Sequence, residues 1–463
     1  MTTDQQSQAV LVRGGVESDA VTRERSSSLP TVEELLGRLG DGAGRDETED
    51  LPHNRWLSPG VWRVRTTEGR LAVLKYVRSD RSSGETPWEA HWTAQDQDPH
   101  RWNYWAREPL AYQHRLTDVY AEAGIHAPAC LGSQADGQEA LLLLEWVDGQ
   151  PDESWPIGSY GPPAEALGRA QAPFLNGRVP SFPWLSERFL RHYSSEKPVE
   201  WELLDDDESW QHPVVRETFP PALRHAVVLV HANRERLYRI SESLPRTLCH
   251  LDFWPKNLFR LPDGRIVLID WGFAGLSSIG EDIGNLVPDA SFDHFVAAED
   301  LPHLEQVVFD GYLRSLRSAG WDEDPRLVRL GMWSSSVKYD WLAPFTLAQV
   351  GQDRQYRYGG DGEIDAIFKF RERSQALLFT AGWARQALEL AEGACSCRNG
   401  NDPIRPSKRG QNLFMKTEKR ERTWIRFLFR SVAPLCGYGV DAPLQQRCVL
   451  PPRSRPVQHQ VGT

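Results

Sequence analysis

The sequence has no apolar run approaching the roughly 18–20 residues that cross a bilayer, which argues against a membrane-spanning helix. Its start, MTTDQQSQAV, is polar and lacks a basic segment feeding an apolar stretch, so a soluble, cytoplasmic chain is expected. Cysteine is scarce, with six in 463 residues, too few for a disulfide framework at this length. Cys395 and Cys397 are too close for a usual zinc pair, and Cys436 and Cys448 have no CxxC or HxxxH company, which argues against a cysteine metal site. Cys249 reads as a buried strand-end residue. Internal repeats are absent. So is an excess of basic charge: the formal charge of −11 disfavours non-specific nucleic-acid binding and is compatible with a cationic small-molecule partner.

What is present divides the chain. A length of 463 residues exceeds the usual size of one core, so two lobes are expected. Residues 1–50 read as a flexible N-terminal segment, polar over 1–28, that holds one short amphipathic helix with Thr31 as its cap. Over 51–147 the pattern is a small sheet-based lobe. Gly60-Val-Trp-Arg-Val-Arg alternates, Leu71-Ala-Val-Leu-Lys-Tyr-Val returns after a turn at Glu68-Gly69, a long helix is expected from Tyr104 to Tyr120, and Ala140-Leu-Leu-Leu-Leu-Glu-Trp-Val reads as a buried strand. Residues 148–394 are mainly helical, with candidates at 160–172, 220–240, 300–318, 326–348 and 371–393. One hairpin interrupts them: Asn257-Leu-Phe-Arg-Leu, a Pro262-Asp263-Gly264 turn, then Arg265-Ile-Val-Leu-Ile. The tail, 395–463, holds thirteen Lys or Arg against four Asp or Glu and reads as poorly ordered.

The chemistry concentrates in Cys249-His250-Leu251-Asp252-Phe253-Trp254-Pro255-Lys256-Asn257 and in Ile269-Asp270-Trp271-Gly272. Phosphoryl transfer needs an oriented hydroxyl, a metal ion on the phosphates and stabilised charge. An H-x-D-x-x-x-x-N spacing places a carboxylate, Asp252, toward an acceptor hydroxyl and an amide oxygen, Asn257, toward the metal. The hairpin then returns Asp270 beside Asn257, and two hard oxygen donors side by side suit Mg²⁺. Taken singly, Asp252, Asn257 and Asp270 are ordinary cap or turn residues. Their order and the tight hairpin joining them favour the chemical reading.

These residues resemble the aminoglycoside phosphotransferase and choline-kinase-like group, relatives of protein kinases, over about 55–390. The group's His-Gly-Asp-(x)4-Asn signature appears as His250-Leu251-Asp252 to Asn257, with Leu251 in place of the frequent glycine. Trp254 stands where histidine is common and Lys256 where a small residue is common. The resemblance implies an α+β, two-lobed protein-kinase-like fold: a small antiparallel N-terminal lobe with one helix, and a larger, mainly helical C-terminal lobe. It implies ATP and Mg²⁺ as cofactors and a small hydroxylated acceptor. Asp252 would be the catalytic base, and Asn257 and Asp270 the metal residues. Lys75 would hold the α- and β-phosphates with Glu108 paired to it, and Glu145 and Val147 would form the adenine-binding hinge. Asp282 would brace the catalytic loop and His250 anchor it. Because Pro109 follows Glu108, Glu108 is expected near the start of its helix. The phosphate-covering loop is reduced to Leu57-Ser58-Pro59-Gly60, with no G-x-G-x-x-G.

Two segments invite an acceptor. The acidic run from Glu200 to Glu208 would attract an amino sugar, and Trp333, Tyr339, Asp340 and Trp341 would suit a quaternary ammonium by cation–π contact. A solvated loop and an aromatic core stripe are the plainer readings. A non-catalytic nucleotide-binding relative would have lost Asp252, Asp270 or Lys75, and all three are present. A protein kinase would show an Ala-Pro-Glu segment and a long activation loop, whereas Gly280-Glu281-Asp282-Ile283-Gly284 follows Asp270 closely.

Overall fold

The computed structural model describes residues 30–40, 48–51, 58–79, 90–91, 97–148, 155–175, 179–356 and 362–396. The expectations for 1–28, for Leu57 and for the basic tail from residue 397 onward lie outside the described residues.

Five antiparallel strands form the N-terminal sheet in the order Glu49–Asp50, Gly60–Arg65, Leu71–Arg78, Glu139–Glu145, Cys130–Asp136. Successive side chains of a strand face opposite ways. Ala72, Leu74 and Tyr76 therefore pack one face against Leu35, Leu36, Val64, Leu141 and Leu143. Leu35 and Leu36 come from the helix Val32–Arg38, whose start is fixed by a capping box. Thr31 N–H donates to Glu34 Oε2 at 2.7 Å, and Glu34 N–H donates to Thr31 Oγ1 at 3.2 Å. The described part of the 1–50 segment thus belongs to the sheet layer. Val73 and Lys75 point to the other face, where Tyr112, Leu142 and Leu144 pack.

The long helix expected over Tyr104–Tyr120 is two pieces, an α-helix at Arg107–Gln113 and a 3-10 helix at Leu116–Ala123. Arg115 between them has φ 57°, a left-handed conformation no α-helix passes through. The apolar period continued across the break and hid it. Similarly, 220–240 divides into Leu223–Ala232 and Arg234–Ser243, where Asn233 turns its amide onto the Leu229 carbonyl at 2.9 Å. The 326–348 candidate divides into Arg326–Ser334, a 3-10 turn Ser335–Tyr339, and Leu342–Ala348. Pro344 lies in the first turn of the last piece, because its ring would clash with the Asp340 carbonyl if the helix were continuous.

The helices Gly161–Gln171 and Leu301–Ser318 cross closely in the C-terminal part, with Gly168 facing the Tyr312 carbonyl, where a Cβ would come within 2.6 Å. Ala366–Ser396 packs against both Leu223–Ala232 and Arg326–Ser334. Two small sheets set the functional loops. One joins Ile125–His126, Ile266–Leu268 and Leu258–Arg260; the other joins Ser186–Glu187, Gly275–Ser278 and Arg246–Cys249. The 250–257 loop therefore runs from one sheet to the other, and the 269–274 loop runs back, so the two loops lie side by side. This is the expected two-lobed α+β arrangement. Among the described residues no helix is long and apolar enough to cross a membrane.

Candidate active site

The strand Arg246–Cys249 ends at His250, and the chain turns sharply at Leu251, whose φ is 68°. A leucine there carries strain that glycine would not. The helix Glu281–Phe292 holds the turn from below. Asp282 accepts the His250 N–H at 2.9 Å and the Leu251 N–H at 2.7 Å, and Asn285 donates to the Leu251 carbonyl at 3.1 Å. Gln171 also donates to Asp282, at 2.7 Å. Burial pushes the Asp282 carboxyl up to about 7, and the two backbone donors pull it back. His250 is fully buried, edge-on to the Trp271 ring at 5.0 Å, and its Nδ1 accepts the Asp252 N–H at 3.3 Å. Burial pushes its pKa down to about 4, which favours the neutral imidazole at ordinary pH.

Asp252 follows, with burial pushing its carboxyl up to about 7 while Lys338 draws it down and Asp270 and Asp289 push it further up. The Asn257 amide donates to Asp252 Oδ2 at 2.7 Å and to the Asp252 carbonyl at 3.0 Å. That orientation turns the amide oxygen of Asn257 away from Asp252. The Ile269 N–H donates to the Asn257 carbonyl at 3.0 Å and clamps the two loops together. Asp270, next in the chain, has φ 61°, and its half-exposed carboxylate lies 3.4 Å from Lys75 Nζ. The antiparallel hairpin Leu258–Arg260 with Ile266–Leu268, closed by Gly264 at φ 87°, makes this approach.

Lys75 also pairs with Glu108, which lies in the first turn of Arg107–Gln113 with Pro109 beside it, near the helix start as expected. Burial alone would lower the Lys75 pKa; the Asp270 and Glu108 carboxylates overcome it and hold the ammonium well above its ordinary value. The structure therefore brings together Lys75, Glu108, Asp252, Asn257, Asp270, His250 and Asp282. Glu145 and Val147 stand apart, at the end of the strand that pairs with the Lys75 strand. Glu145 is exposed and accepts the Ala129 N–H at 3.2 Å, Trp146 N–H donates to Leu71 at 3.3 Å, and Val147 makes no hydrogen bond with a described residue.

The donor set fits Mg²⁺ and a nucleotide. Asn257 and Asp270 offer two hard oxygen ligands, which suits an ion that keeps phosphate oxygens and water in its remaining positions. Among the described residues no cluster of three His, Cys, Asp or Glu offers a closed metal cage. Lys75 is fixed from both sides, by Glu108 and Asp270.

Residues of the two acceptor candidates have partners within the chain. In the acidic run, Asp206 caps the helix Asp207–Gln211 and Asp207 pairs with Arg224 at 2.6 Å. The aromatic cluster is internal: Trp333 donates to Glu305 at 3.1 Å, Tyr339 packs on Phe292, and Asp340 is buried beside Arg234 at 3.4 Å. Sequence reasoning missed Arg107, Gln171, Asn285 and Lys338. Arg107 is fully buried, its guanidinium donating at 2.9 Å each to the carbonyls of Pro99, Trp102, Trp184 and Gly272, and also to that of Arg101. Asn285 was recoverable, standing three residues after Asp282 on the same helix face.

The family model described as phosphotransferase enzyme family matches residues 52–324. No curated protein matches the chain. Among solved structures, an amicoumacin kinase in complex with AMP-PNP and Ca²⁺ shares 13% identity, covering 76% of this chain and 96% of its own, with a TM-score of 0.47. An aminoglycoside phosphotransferase from Streptomyces rimosus shares 16%, covering 69% and 99%, with a TM-score of 0.38. A Plasmodium vivax ethanolamine kinase shares 12%, covering 74% and 83%, with a TM-score of 0.36.

Proposed function

Since the chain belongs to the phosphotransferase enzyme family, we propose that it transfers the γ-phosphate of ATP to a hydroxyl group of a small molecule. The observation that carries this reading is the single connected set in which Lys75 is held by Glu108 and Asp270 while Asn257, clamped to Ile269, holds Asp252. In this reading Lys75 binds the α- and β-phosphates, and Glu108 keeps its ammonium in place. Asn257 and Asp270 hold Mg²⁺, which when bound neutralises charge on the phosphate oxygens. Asp252 orients the acceptor hydroxyl and takes its proton as the oxygen–phosphorus bond forms and the bond from phosphorus to ADP breaks. Asp282, Asn285 and His250 keep the Asp252 backbone from moving, and the strand end at Glu145 and Val147 offers main-chain groups to adenine.

The test is release of ADP from Mg-ATP by purified protein against a panel of hydroxylated molecules, choline and aminoglycosides included. An acceptor that raises ADP release and appears phosphorylated supports the reading. Tight Mg-ATP binding with no ADP release on any acceptor, or on water, would make the chain a non-catalytic nucleotide binder instead.

A further inference from the structure

Asp252 and Trp254 are both half-buried, while Phe253 between them is fully buried. Trp254 is extended, with φ −144° and ψ 167°, and this alternation of burial is that of an extended chain. Asp252 and Trp254 therefore share the open side of the loop, about 7 Å apart along the backbone. Trp254 has ring neighbours from two other segments. The helix Glu281–Phe292 is closed off by His294, whose φ of 64° turns the chain. Phe295 then meets Trp254 edge-on, with ring centroids 6.5 Å apart. The His294 ring lies 5.2 Å from that of Phe368, at the start of the helix Ala366–Ser396. Phe368 is 47% exposed, and among the described residues only it and Leu131 are large apolar side chains left exposed. Leu131 belongs to the N-terminal sheet. Charge around these rings favours a neutral occupant. Lys256 Nζ sits 5.5 Å from the Trp254 ring centroid and pairs with Asp293 at 2.7 Å, and Lys338 takes Asp289 at 3.2 Å. The two carboxylates at this end of the helix already carry ammonium partners, and the ammonium beside Trp254 would repel a second cation.

We propose that Trp254 and Phe295, with His294 and Phe368 as an outer rim, form the acceptor subsite, and that they select an uncharged alcohol bearing an aromatic ring. The ring packs on Trp254 and Phe295 while a hydroxyl reaches Asp252. The inference rests on the phosphotransferase reading and adds to it the class of acceptor, with Trp254 as the residue that sets specificity. An aryl ring gains both from burial and from offset or edge-on contact with indole and phenyl rings, and a methyl group in its place gains little of either. The reacting oxygen remains the hydroxyl at Asp252, and the ring serves to hold it there.

Phenyl β-glucoside and methyl β-glucoside carry the same sugar hydroxyls and no charge, and differ only in the ring. The experiment measures the affinity of each by calorimetry for the full chain loaded with Mg-AMP-PNP, in wild type, W254F and W254L, and follows ADP release from Mg-ATP in parallel. The expected result is that wild type binds the phenyl glucoside about 10-fold more tightly than the methyl glucoside, that W254F keeps most of this preference, and that W254L, which keeps bulk without a ring, loses it. Equal affinities, no binding of either glucoside, or a preference that survives in W254L overturns the inference. So does an aminoglycoside bound more tightly than the phenyl glucoside. ADP release on other acceptors without a preference for the ring overturns this inference alone. Ring-dependent binding with no ADP release on any acceptor or on water overturns the phosphotransferase reading and the acceptor assignment with it.

Discussion

Replacing Leu251 by alanine and, separately, by glycine isolates the strain at the catalytic turn. The leucine side chain is fully buried among Trp102, Phe189, Tyr193 and Cys249, so truncation to alanine should cost about 2–5 kcal/mol. Glycine loses the same contacts. At an ordinary backbone position glycine would then be roughly 0.5–1 kcal/mol less stable than alanine, because its unfolded chain is freer. At φ 68°, however, alanine carries a left-handed penalty of roughly 1–2 kcal/mol that glycine escapes. The two terms oppose each other, and the difference favours glycine by up to about 1.5 kcal/mol. The backbone bonds of residue 251 to Asp282 and Asn285 survive in both variants, so Mg-nucleotide affinity should change little in either. Denaturant midpoints at equal m-values read the difference. L251A more stable than L251G by about 1 kcal/mol, the ordinary order, would refute the argument that the turn is strained.

Three other outcomes follow from the same site and its surroundings. D252N should abolish turnover while leaving Mg-ATP binding nearly intact, since the carboxylate acts in the transition state; an unchanged kcat refutes its role. D270A and N257A should both weaken Mg²⁺-dependent nucleotide binding, D270A more because it removes a full charge; a Mg²⁺ titration identical to wild type argues against the ligand assignment. Burial and the neighbouring Arg373 push Lys369 down to about 7, so the unfolded chain binds more protons between about pH 7 and about pH 10. Wild type should therefore gain stability over K369M as pH rises through that window, and parallel stability curves would contradict it.

The hairpin that delivers Asp270 was legible because Pro262-Asp263-Gly264 can scarcely be anything but a turn and short apolar segments flank it. The pairing of Lys75 with Glu108 was legible only through the family resemblance, because taken singly a strand lysine and a helix glutamate read as solvated. The helix breaks at Arg115, at Asn233 and between Ser334 and Leu342 were not legible, since apolar periodicity reports which face is buried and says little about where the axis turns. Trp333, Tyr339 and Trp341 look alike as a binding surface or as a core stripe, and the partner that decides, such as Glu305, is far away in sequence. Lys338 and Arg107 escaped notice for the same reason: a lone cation in a helical segment reads as solvated until its neighbours are known.

Arg107 leaves a signature in time as well as in space. One guanidinium ties the carbonyls of Pro99, Arg101, Trp102, Trp184 and Gly272, and burial, which draws its pKa down to about 9, still leaves it charged at neutral pH. Lysine has three donors and no planar fork, so it cannot hold the same five acceptors. The segments around Trp184 and Gly272, though 88 residues apart, therefore share one latch. In native-state hydrogen exchange their amides should open as one unit with those of Arg107–Gln113, and R107K should uncouple them. Independent opening of the two segments in wild type would mean that the latch carries no cooperativity.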